Sequence, residues 1–417
     1  MAQLSDDCFA FGGTLLSVDE ALSRIEERVT AVVDTEATPL GGACARILAR
    51  DVVAAMNLPP HANSAVDGFA FAHADLVPGQ ESVLPVSGRA AAGHPLGRAA
   101  ARGTAVRIFT GAPMPDGTDT VMMQEDCSLE DGKVRLRPGI KKGANRRHAG
   151  EDVAEGTVAL AAGRRLSPAD LGLAAALGCS ELPVFRRLRV ALLSTGDEVI
   201  DPGNPLQPGT IYDANRFMLA ELLRGLGCSV SDFGIRPDRE AALVDTIATA
   251  SAEHDLLVTS GGVSTGEEDH VKPAIERLGG LHFWRLAIKP GRPVALGQIG
   301  GVPLIGLPGN PVAALVTFVV FARPLIFKLA GAAASTPRLF PVRAGFGYRK
   351  KPGRREYVRV SLRRDAGDLV AVKYPRDGAG ILSSITQSEG FAVIEEETSE
   401  LSPGMPVDFL PFSEVIR

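Results

Sequence analysis

The sequence predicts a multidomain α/β plus β protein: a central α/β domain with a mostly parallel sheet, an inserted β-rich domain and a small C-terminal β-barrel or sandwich. Three observations predict this class. The chain of 417 residues is longer than one compact core usually holds. From residue 187, short apolar strands alternate with helical patterns, which is typical of a parallel sheet. The 46 glycines and 29 prolines imply many turns, as in small β-rich units.

Two helices have clear start signals in the first part of the chain. Residues 15–30 have helical character, with Ser17 as N-cap and Glu20 completing a capping box. Ser167 and Pro168 open a second helix that ends at Gly178. Between them, residues 53–154 are rich in glycine and proline and carry short apolar runs, such as 104–109, so we predict an inserted β-rich domain.

The α/β part is predicted from alternating apolar runs and helical spacings. Strands are expected at 189–193, 230–235, 256–259, 283–288, 294–298 and 303–306, and helices at 213–226, from about 238, from 269 and from 312. The apolar run 312–322 ends at Arg323-Pro324 and is too short to span a bilayer. Residues 338–417 return to β character: Val358, Val360 and Leu362 alternate with polar residues at the period of a half-buried strand.

Composition argues against several classes of protein. The net charge of −5 and the 5% of aromatic residues do not favour a nucleic-acid binder. The five cysteines are widely spaced and form no CxxC pair, so neither a disulfide framework nor a zinc site is indicated, and a reducing cytoplasm fits. The N-terminus has no basic region followed by a long apolar segment, so we expect no signal peptide.

Three polar loops each follow an apolar strand of the α/β domain; they comprise residues 194–198, 260–269 and 307–311. Because the carboxyl ends of parallel strands share one edge of a sheet, we expect the three loops to meet there. Gly261 and Gly262 would let backbone amides approach a phosphate. Glu198 and Asp269 would bring carboxylates to that edge, which is how Mg²⁺ is usually held against phosphates. Taken alone, the second loop could equally be a turn in which Asp269 caps a helix.

Three cations lie on one predicted strand and the turn that follows it: Arg285, Lys289 and Arg292. Pro290, Gly291 and Pro293 would stiffen this turn. Arg285 and Lys289, four residues apart, would share one face of the strand and suit an oxyanion. An exposed loop is the alternative interpretation.

The inserted domain offers three weaker candidates. Asp67 lies in a tight turn before an apolar strand, Thr110 ends another strand, and Asp152 lies in a short acidic loop. On physical grounds each is more often structural than functional, because Asp-Gly is a common hairpin turn.

Taken together, these segments resemble the molybdopterin molybdenumtransferase family, which includes bacterial MoeA and the E domain of gephyrin. The similar segments occur in the family's order over roughly residues 15–330: SAVDGFA, RIFTGAPMPDGTDTVMMQED, GED, STGDEV, IYDANR, SGGVSTGEEDHVK, WRLAIKPGRP and GLPGNPVAALVTF. Val66 and Phe69 stand where the family usually has Met and Tyr, and Arg285 stands where lysine is common.

The resemblance implies four domains and a homodimer. The domains would be a linking domain (35–52 and 155–186), the inserted domain (53–154), a molybdopterin-binding α/β domain (15–34 and 187–332) and a C-terminal β domain (333–417). Each active site would be shared between the subunits. The implied reaction inserts molybdate into the dithiolene of adenylylated molybdopterin, with Mg²⁺-dependent hydrolysis and release of AMP. A molybdopterin adenylyltransferase and recipient molybdoenzymes are further candidate partners, and neither nucleic acid nor membrane is expected.

The resemblance also assigns roles to individual residues. The catalytic set would be Asp67, Thr110, Asp152, Glu198, Asp238 and Asp269, with Glu198 and Asp269 holding the metal. The residues that bind substrate or molybdate would be Ser260, Gly261, Gly262, Ser264, Arg285, Lys289, Arg292, Pro308, Pro311, Arg359, Ser383 and Ser384.

Two other functions remain as alternatives. A molybdopterin adenylyltransferase would share the α/β domain, but the inserted and C-terminal β domains argue against it. A gephyrin-like scaffold without catalysis would not need Asp67, Glu198, Asp269 and Lys289, all of which are present.

Overall fold

A computed structural model describes residues 15–261, 270–291, 293–333, 336–365 and 367–416. The predicted site residues Gly262, Ser264, Asp269 and Arg292 lie outside these ranges. The chain forms two compact units, each described here by itself. The first comprises Met1–Arg50, Ala162–Leu166 and Pro183–Arg417, and the second, which we call the inserted unit, comprises Asp51–Ala161 and Ser167–Leu182. The four-domain division stays a prediction.

The central sheet of the first unit has six strands. Its spatial order is Ser229–Arg236, Arg189–Thr195, Leu256–Ser260, Val302–Leu307, Pro293–Ile299 and Gly280–Arg285. The first four strands are parallel, and the last two are antiparallel to their neighbours. Four strands therefore end at the same edge, as the alternating pattern predicted.

Both faces of this sheet are covered, which explains the continuous apolar runs of its strands. Val190 and Leu192 belong to one buried cluster, whereas Ala191 and Leu193 belong to another on the opposite face. The helices that follow the parallel strands are Asn215–Gly225, Glu240–Glu253 and Val271–Leu278. The last two begin two residues after their predicted starts.

The prediction of one strand over 283–288 is wrong. The sheet strand ends at Arg285, and Ile288–Lys289 is a separate short strand that pairs in parallel with Arg355–Asp365. Arg285 and Lys289 therefore do not share a strand or its alternation. The intervening Leu286, Ala287 and Ile288 are all buried, and apolar residues carry no signal of which sheet they will join.

The helix that begins at Pro311 continues beyond the apolar run 312–322, through Arg323 and Pro324. It runs as α-helix Pro311–Thr317, π-helix Phe318–Ala322 and α-helix Arg323–Leu329. The change to i→i+5 bonding just before Pro324 accommodates a residue without a backbone donor. By length and hydropathy these 19 residues could cross a membrane, but 89% of the apolar stretch is buried inside the protein, as expected of a core helix.

Both predicted helix starts are confirmed. The helix Val18–Arg28 begins after Ser17, whose side chain forms the capping box with Glu20. The helix Pro168–Ala176 of the inserted unit begins after Ser167, with Pro168 in its first turn. Two further strands are Thr35–Pro39 and Glu181–Phe185.

The C-terminal region forms a closed barrel. Five strands follow one another around it and return to the first: Arg355–Asp365, Asp368–Lys373, Phe340–Ala344, Pro406–Pro411 and Gly390–Ile394. The strand Tyr348–Arg349 pairs with Glu400–Leu401, and the short helices are Ser383–Thr386 and Phe412–Val415. Closure leaves the barrel's main strands without free edges.

The inserted unit is β-rich, as predicted. Its six-stranded sheet has the order Thr120–Met123, Gly68–Phe71, Ala105–Ile108, Ser82–Ala90, Lys133–Leu136 and Cys127–Glu130. The smaller pairs are Asn63–Ser64 with Arg146–Arg147 and Val52–Val53 with Val158–Leu160.

Candidate functional site

A cavity of about 760 Å³ lies at the carboxyl ends of the parallel strands. Described residues of all three predicted loops line it, with Ser260 and Gly261 representing the second, which confirms that the loops start from one edge of the sheet. Its lining includes Ser194, Thr195, Glu198, Asn215, Ser260, Gly261, Pro308, Gly309, Asn310 and Pro311. The volume is that of a small-molecule site. The long helix begins here, so the positive end of its dipole favours an anionic ligand.

Backbone contacts hold two of the loops close together. The Gly261 N–H donates to Leu307 O at 3.2 Å. Gly261 has a φ of +85°, and a Cβ at this position would lie 2.8 Å from Thr195 O. Only glycine fits there, so the close approach of these loops depends on it.

Carboxylates gather at one side of this edge. Burial raises the pKa of Asp238, the charges of Asp197 and Glu198 raise it further, and the backbone N–H of His270 opposes the shift. One carboxylate oxygen of Asp238 is buried and has no hydrogen-bond partner among the described residues. Within the same described ranges, no group of three or more His, Cys, Asp or Glu side chains is arranged to hold a metal ion.

Lys289 is held by a buried carboxylate of the C-terminal barrel. Its Nζ lies 3.0 Å from Glu356 Oε2, and the Tyr348 hydroxyl donates to the same oxygen at 2.7 Å. Glu356 is only 5% exposed, and burial together with this carboxylate raises the pKa of Tyr348. The ammonium is therefore oriented before any ligand binds. Arg285 is exposed at the end of its own strand.

Arg359 is buried against the segment that precedes and contains Ser384. Its Nε donates to Ser384 Oγ at 3.1 Å, and its Nη2 donates to Gly378 O at 3.2 Å. Burial lowers the pKa of Arg359. The Ser383 hydroxyl lies 3.4 Å from the Tyr374 hydroxyl. The same segment supplies Ala379, Gly380 and Leu382 to the cavity lining.

In the inserted unit, the structure joins two of the three predicted residues. Asp67 Oδ1 accepts hydrogen bonds from the Thr110 N–H at 2.8 Å and the Thr110 hydroxyl at 2.7 Å. These bonds lower the pKa of Asp67. Asp152 is exposed, and its backbone N–H donates to Leu58 O at 3.0 Å.

Four polar residues could not be assigned a role from the sequence. Asn215 and the buried pair Asp213–Arg216 lie in the IYDANR segment, whose polar residues precede and begin a helix. Their position at the start of a helix was the feature that could have identified them from the sequence. Glu356 gave no signal, because it meets Lys289 only through a strand pairing across 67 residues of sequence.

A ligand cavity at the carboxyl ends of an open sheet is typical of ligand-binding α/β proteins. Three family models match this chain: MoeA N-terminal region (domain I and II) over residues 16–178, probable molybdopterin binding domain over 191–328, and MoeA C-terminal region (domain IV) over 341–412. The chain belongs to the MoeA family of molybdopterin molybdenumtransferases, as its motifs predicted.

Relatives match over nearly the whole chain. A molybdopterin molybdenumtransferase of Haemophilus influenzae is 40% identical, covering 96% of this chain and 100% of the relative. Molybdopterin molybdenumtransferase 2 of Mycobacterium tuberculosis is 37% identical, covering 88% and 92%. The crystal structure of the molybdopterin biosynthesis MoeA protein from Pyrococcus horikoshii is 28% identical, with a TM-score of 0.82 and coverage of 95% and 100%. Full-length matches of this kind argue against the adenylyltransferase alternative.

Proposed function

We propose that this protein is a molybdopterin molybdenumtransferase that inserts molybdate into the dithiolene of adenylylated molybdopterin and releases AMP by hydrolysis of the pyrophosphate bond. Family membership supports the reaction class. The cavity at the sheet edge is the observation that carries the proposal for this chain. It combines a helix N-terminus, a glycine that permits close backbone approach and hydroxyl groups, all suited to a phosphate.

The cations and hydroxyls of the barrel would serve the molybdate. Lys289 is held in place by Glu356, and Arg359 is held with Ser384 beside the segment that lines the cavity. Charged donors fixed in advance bind an oxyanion without reorganisation. Pro308 and Pro311 would shape the adjoining wall. Roles for Asp67, Thr110, Asp152, Ser383 and Arg285 are proposed on the family resemblance.

We also propose Mg²⁺ as the cofactor. Glu198 and Asp238 would hold it, together with phosphate oxygens of the substrate and Asp269, which lies outside the described residues. Mg²⁺ commonly uses only one or two carboxylates plus substrate phosphates, so this arrangement does not need a cluster of three protein ligands. The unpartnered oxygen and raised pKa of Asp238 fit a cation. When bound, the metal would neutralise the pyrophosphate charge.

The test is AMP release from adenylylated molybdopterin, measured with and without Mg²⁺ and with molybdate or tungstate. We expect release that requires both the divalent metal and the oxyanion. Glu198→Gln should reduce it at least about 10-fold, because a hard cation loses a charged ligand. Glu253→Gln, the same change on an exposed helix end, is the control. A pure wild-type protein that releases no AMP would support the scaffold alternative instead.

We propose further that the protein is a cytoplasmic homodimer whose active sites take residues from both subunits. The family resemblance supports this sharing of the site between subunits. The four cysteines among the described residues, Cys44, Cys127, Cys179 and Cys228, are free, which fits a reducing compartment.

A further inference from the structure

Asn215 connects two of the loops that surround the cavity. Its Nδ2 donates to Ser260 Oγ at 3.0 Å and to Gly309 O at 2.7 Å. Ser260 ends one parallel strand, and Gly309 lies in the loop after the next. All three residues line the cavity.

The orientation of this amide is fixed by chemistry. A backbone carbonyl can only accept a hydrogen bond, so the atom that faces Gly309 O must be the amide nitrogen. The same nitrogen faces Ser260 Oγ, so the hydroxyl oxygen of Ser260 acts as an acceptor towards Asn215. Its own hydrogen is therefore free to point away from Asn215.

Unpartnered polar atoms nearby indicate that something else completes this site. Among the described residues, Asn215 Oδ1, Ser194 Oγ and Thr195 Oγ1 are buried without a hydrogen-bond partner. The residues are only 7%, 2% and 3% exposed, and all three line the cavity. Ser194 lies directly beside Ser260 in the strand register. Buried polar atoms are normally paired, so these atoms point to a ligand or water in the cavity as their partner.

We propose that Asn215 is a positioning residue that makes the Ser260 hydroxyl a hydrogen-bond donor to a phosphate group of the bound substrate. Ionised phosphate oxygens can only accept hydrogen bonds, so the Ser260 hydroxyl must donate to bind one. A hydroxyl that was free to rotate would spend part of its time pointing its hydrogen away from the phosphate, and binding would be weaker. By holding Gly309 as well, Asn215 keeps the two loops at a fixed separation. This inference rests on the proposed function, since it assumes an adenylylated substrate in this cavity.

Asn215→Asp is the sharpest variant. It preserves size but replaces the donor by a carboxylate, which only accepts. The Ser260 hydrogen would then turn to the carboxylate, and Gly309 O would face a like-charged oxygen. Calorimetric titration with AMP as the probe should show affinity reduced about tenfold or more, the scale of losing a hydrogen bond to a charged group. Asn204→Asp, an exposed site that gains the same charge, should bind AMP within about twofold of wild type.

A double-mutant cycle separates positioning from a general structural effect. If Asn215 acts through Ser260, Asn215→Asp should weaken AMP binding much less in a Ser260→Ala background than in wild type. In the AMP-release assay, Asn215→Asp should raise KM with kcat within about threefold, as for loss of ground-state binding. Asn215→Ala provides a second variant, and melting temperatures identify any variant that fails to fold.

The outcomes are distinguishable. Failure of the wild type to bind AMP would contradict the proposed function and this inference with it. A wild type that binds AMP, together with a folded Asn215→Asp that binds it equally well, would overturn the inference alone. Fully additive effects of the Asn215 and Ser260 substitutions would also overturn it.

Discussion

Thr110 keeps Asp67 ionised through two hydrogen bonds, one from its backbone and one from its hydroxyl. Both bonds favour the charged carboxylate and lower its pKa. A carboxylate with a lowered pKa contributes stability above its ordinary value near 3.8, and this contribution is lost as the pH falls through the folded-state pKa. The two hydrogen bonds thus stabilise the charged form of Asp67 over the protonated form.

Thr110→Ala should raise the Asp67 pKa towards its ordinary value, because one of the two hydrogen bonds disappears. The pKa can be followed by NMR titration of the Asp67 carboxyl carbon. We expect AMP release to fall as well, whereas Thr110→Ser, which retains the hydroxyl, should behave like wild type in both measurements. An unchanged Asp67 pKa in Thr110→Ala would mean that the backbone N–H alone determines it.

Lys289 is an oriented cation because its ammonium contacts the buried Glu356 at 3.0 Å. Lys289→Ala should reduce turnover by roughly 10²-fold or more, the scale of removing one preorganised charge-stabilising donor. Arg285→Lys should retain most activity, since it keeps the charge and restores the residue common in the family. Steady-state assays at varied molybdate concentration test both variants.

Lys351→Ala is the matched control for Lys289, because it removes an exposed lysine of the same compact unit. It should leave the molybdate dependence unchanged. If Lys289→Ala also leaves turnover and molybdate dependence unchanged, then Lys289 serves only to pair with Glu356, and the oxyanion pocket lies elsewhere.

At the scale of elements, the start of the helix Asn215–Gly225 is anchored by a buried arginine. Arg216 contacts Asp213 at 3.0 Å and Asp232 at 2.6 Å, and it also contacts Asp201. The guanidinium side chain is 7% exposed, and the Asp213 side chain is 3% exposed. These contacts connect the helix start to the neighbouring sheet strand that contains Asp232, and therefore support Asn215 at the cavity.

Arg216→Ala should lower the free energy of unfolding by about 3–5 kcal/mol, because it leaves the buried Asp213 carboxylate without its ion-pair partner. Arg224→Ala on the same helix is the control, since its contact with Glu221 is exposed and should contribute at most about 0.5 kcal/mol. Urea denaturation measures both. Equal losses in the two variants would show that the buried network contributes no more than a surface pair.

At the scale of the whole molecule, the proposed shared site requires a dimer. Sedimentation equilibrium at micromolar concentration should give about twice the chain mass of 43.7 kDa. A monomer at concentrations where AMP release is measured would contradict the shared active site, although it would leave the reaction class untouched.

Elements with local causes could be predicted from the sequence alone. Ser17 with Glu20 and Ser167 with Pro168 marked helix starts correctly, because capping depends on residues within one turn. The alternation of strands and helices identified the sheet edge, since parallel strands share their carboxyl ends, and the cavity lies there. The family motifs are also short local segments, so they could be recognised in the sequence.

Tertiary structure decided what depends on distant partners. The buried run 286–288 leaves the sheet for the barrel, and the long helix continues past Pro324 because surrounding packing buries it. Lys289 contacts Glu356, and Arg359 contacts Ser384, because the fold of the barrel region brings these distant residues together. The positioning role of Asn215 likewise depends on tertiary structure, because its amide donates hydrogen bonds to two different loops. The sequence specifies the chemical type of each side chain. The partners that orient its charge and hydrogen bonds are set by packing between segments far apart in the chain.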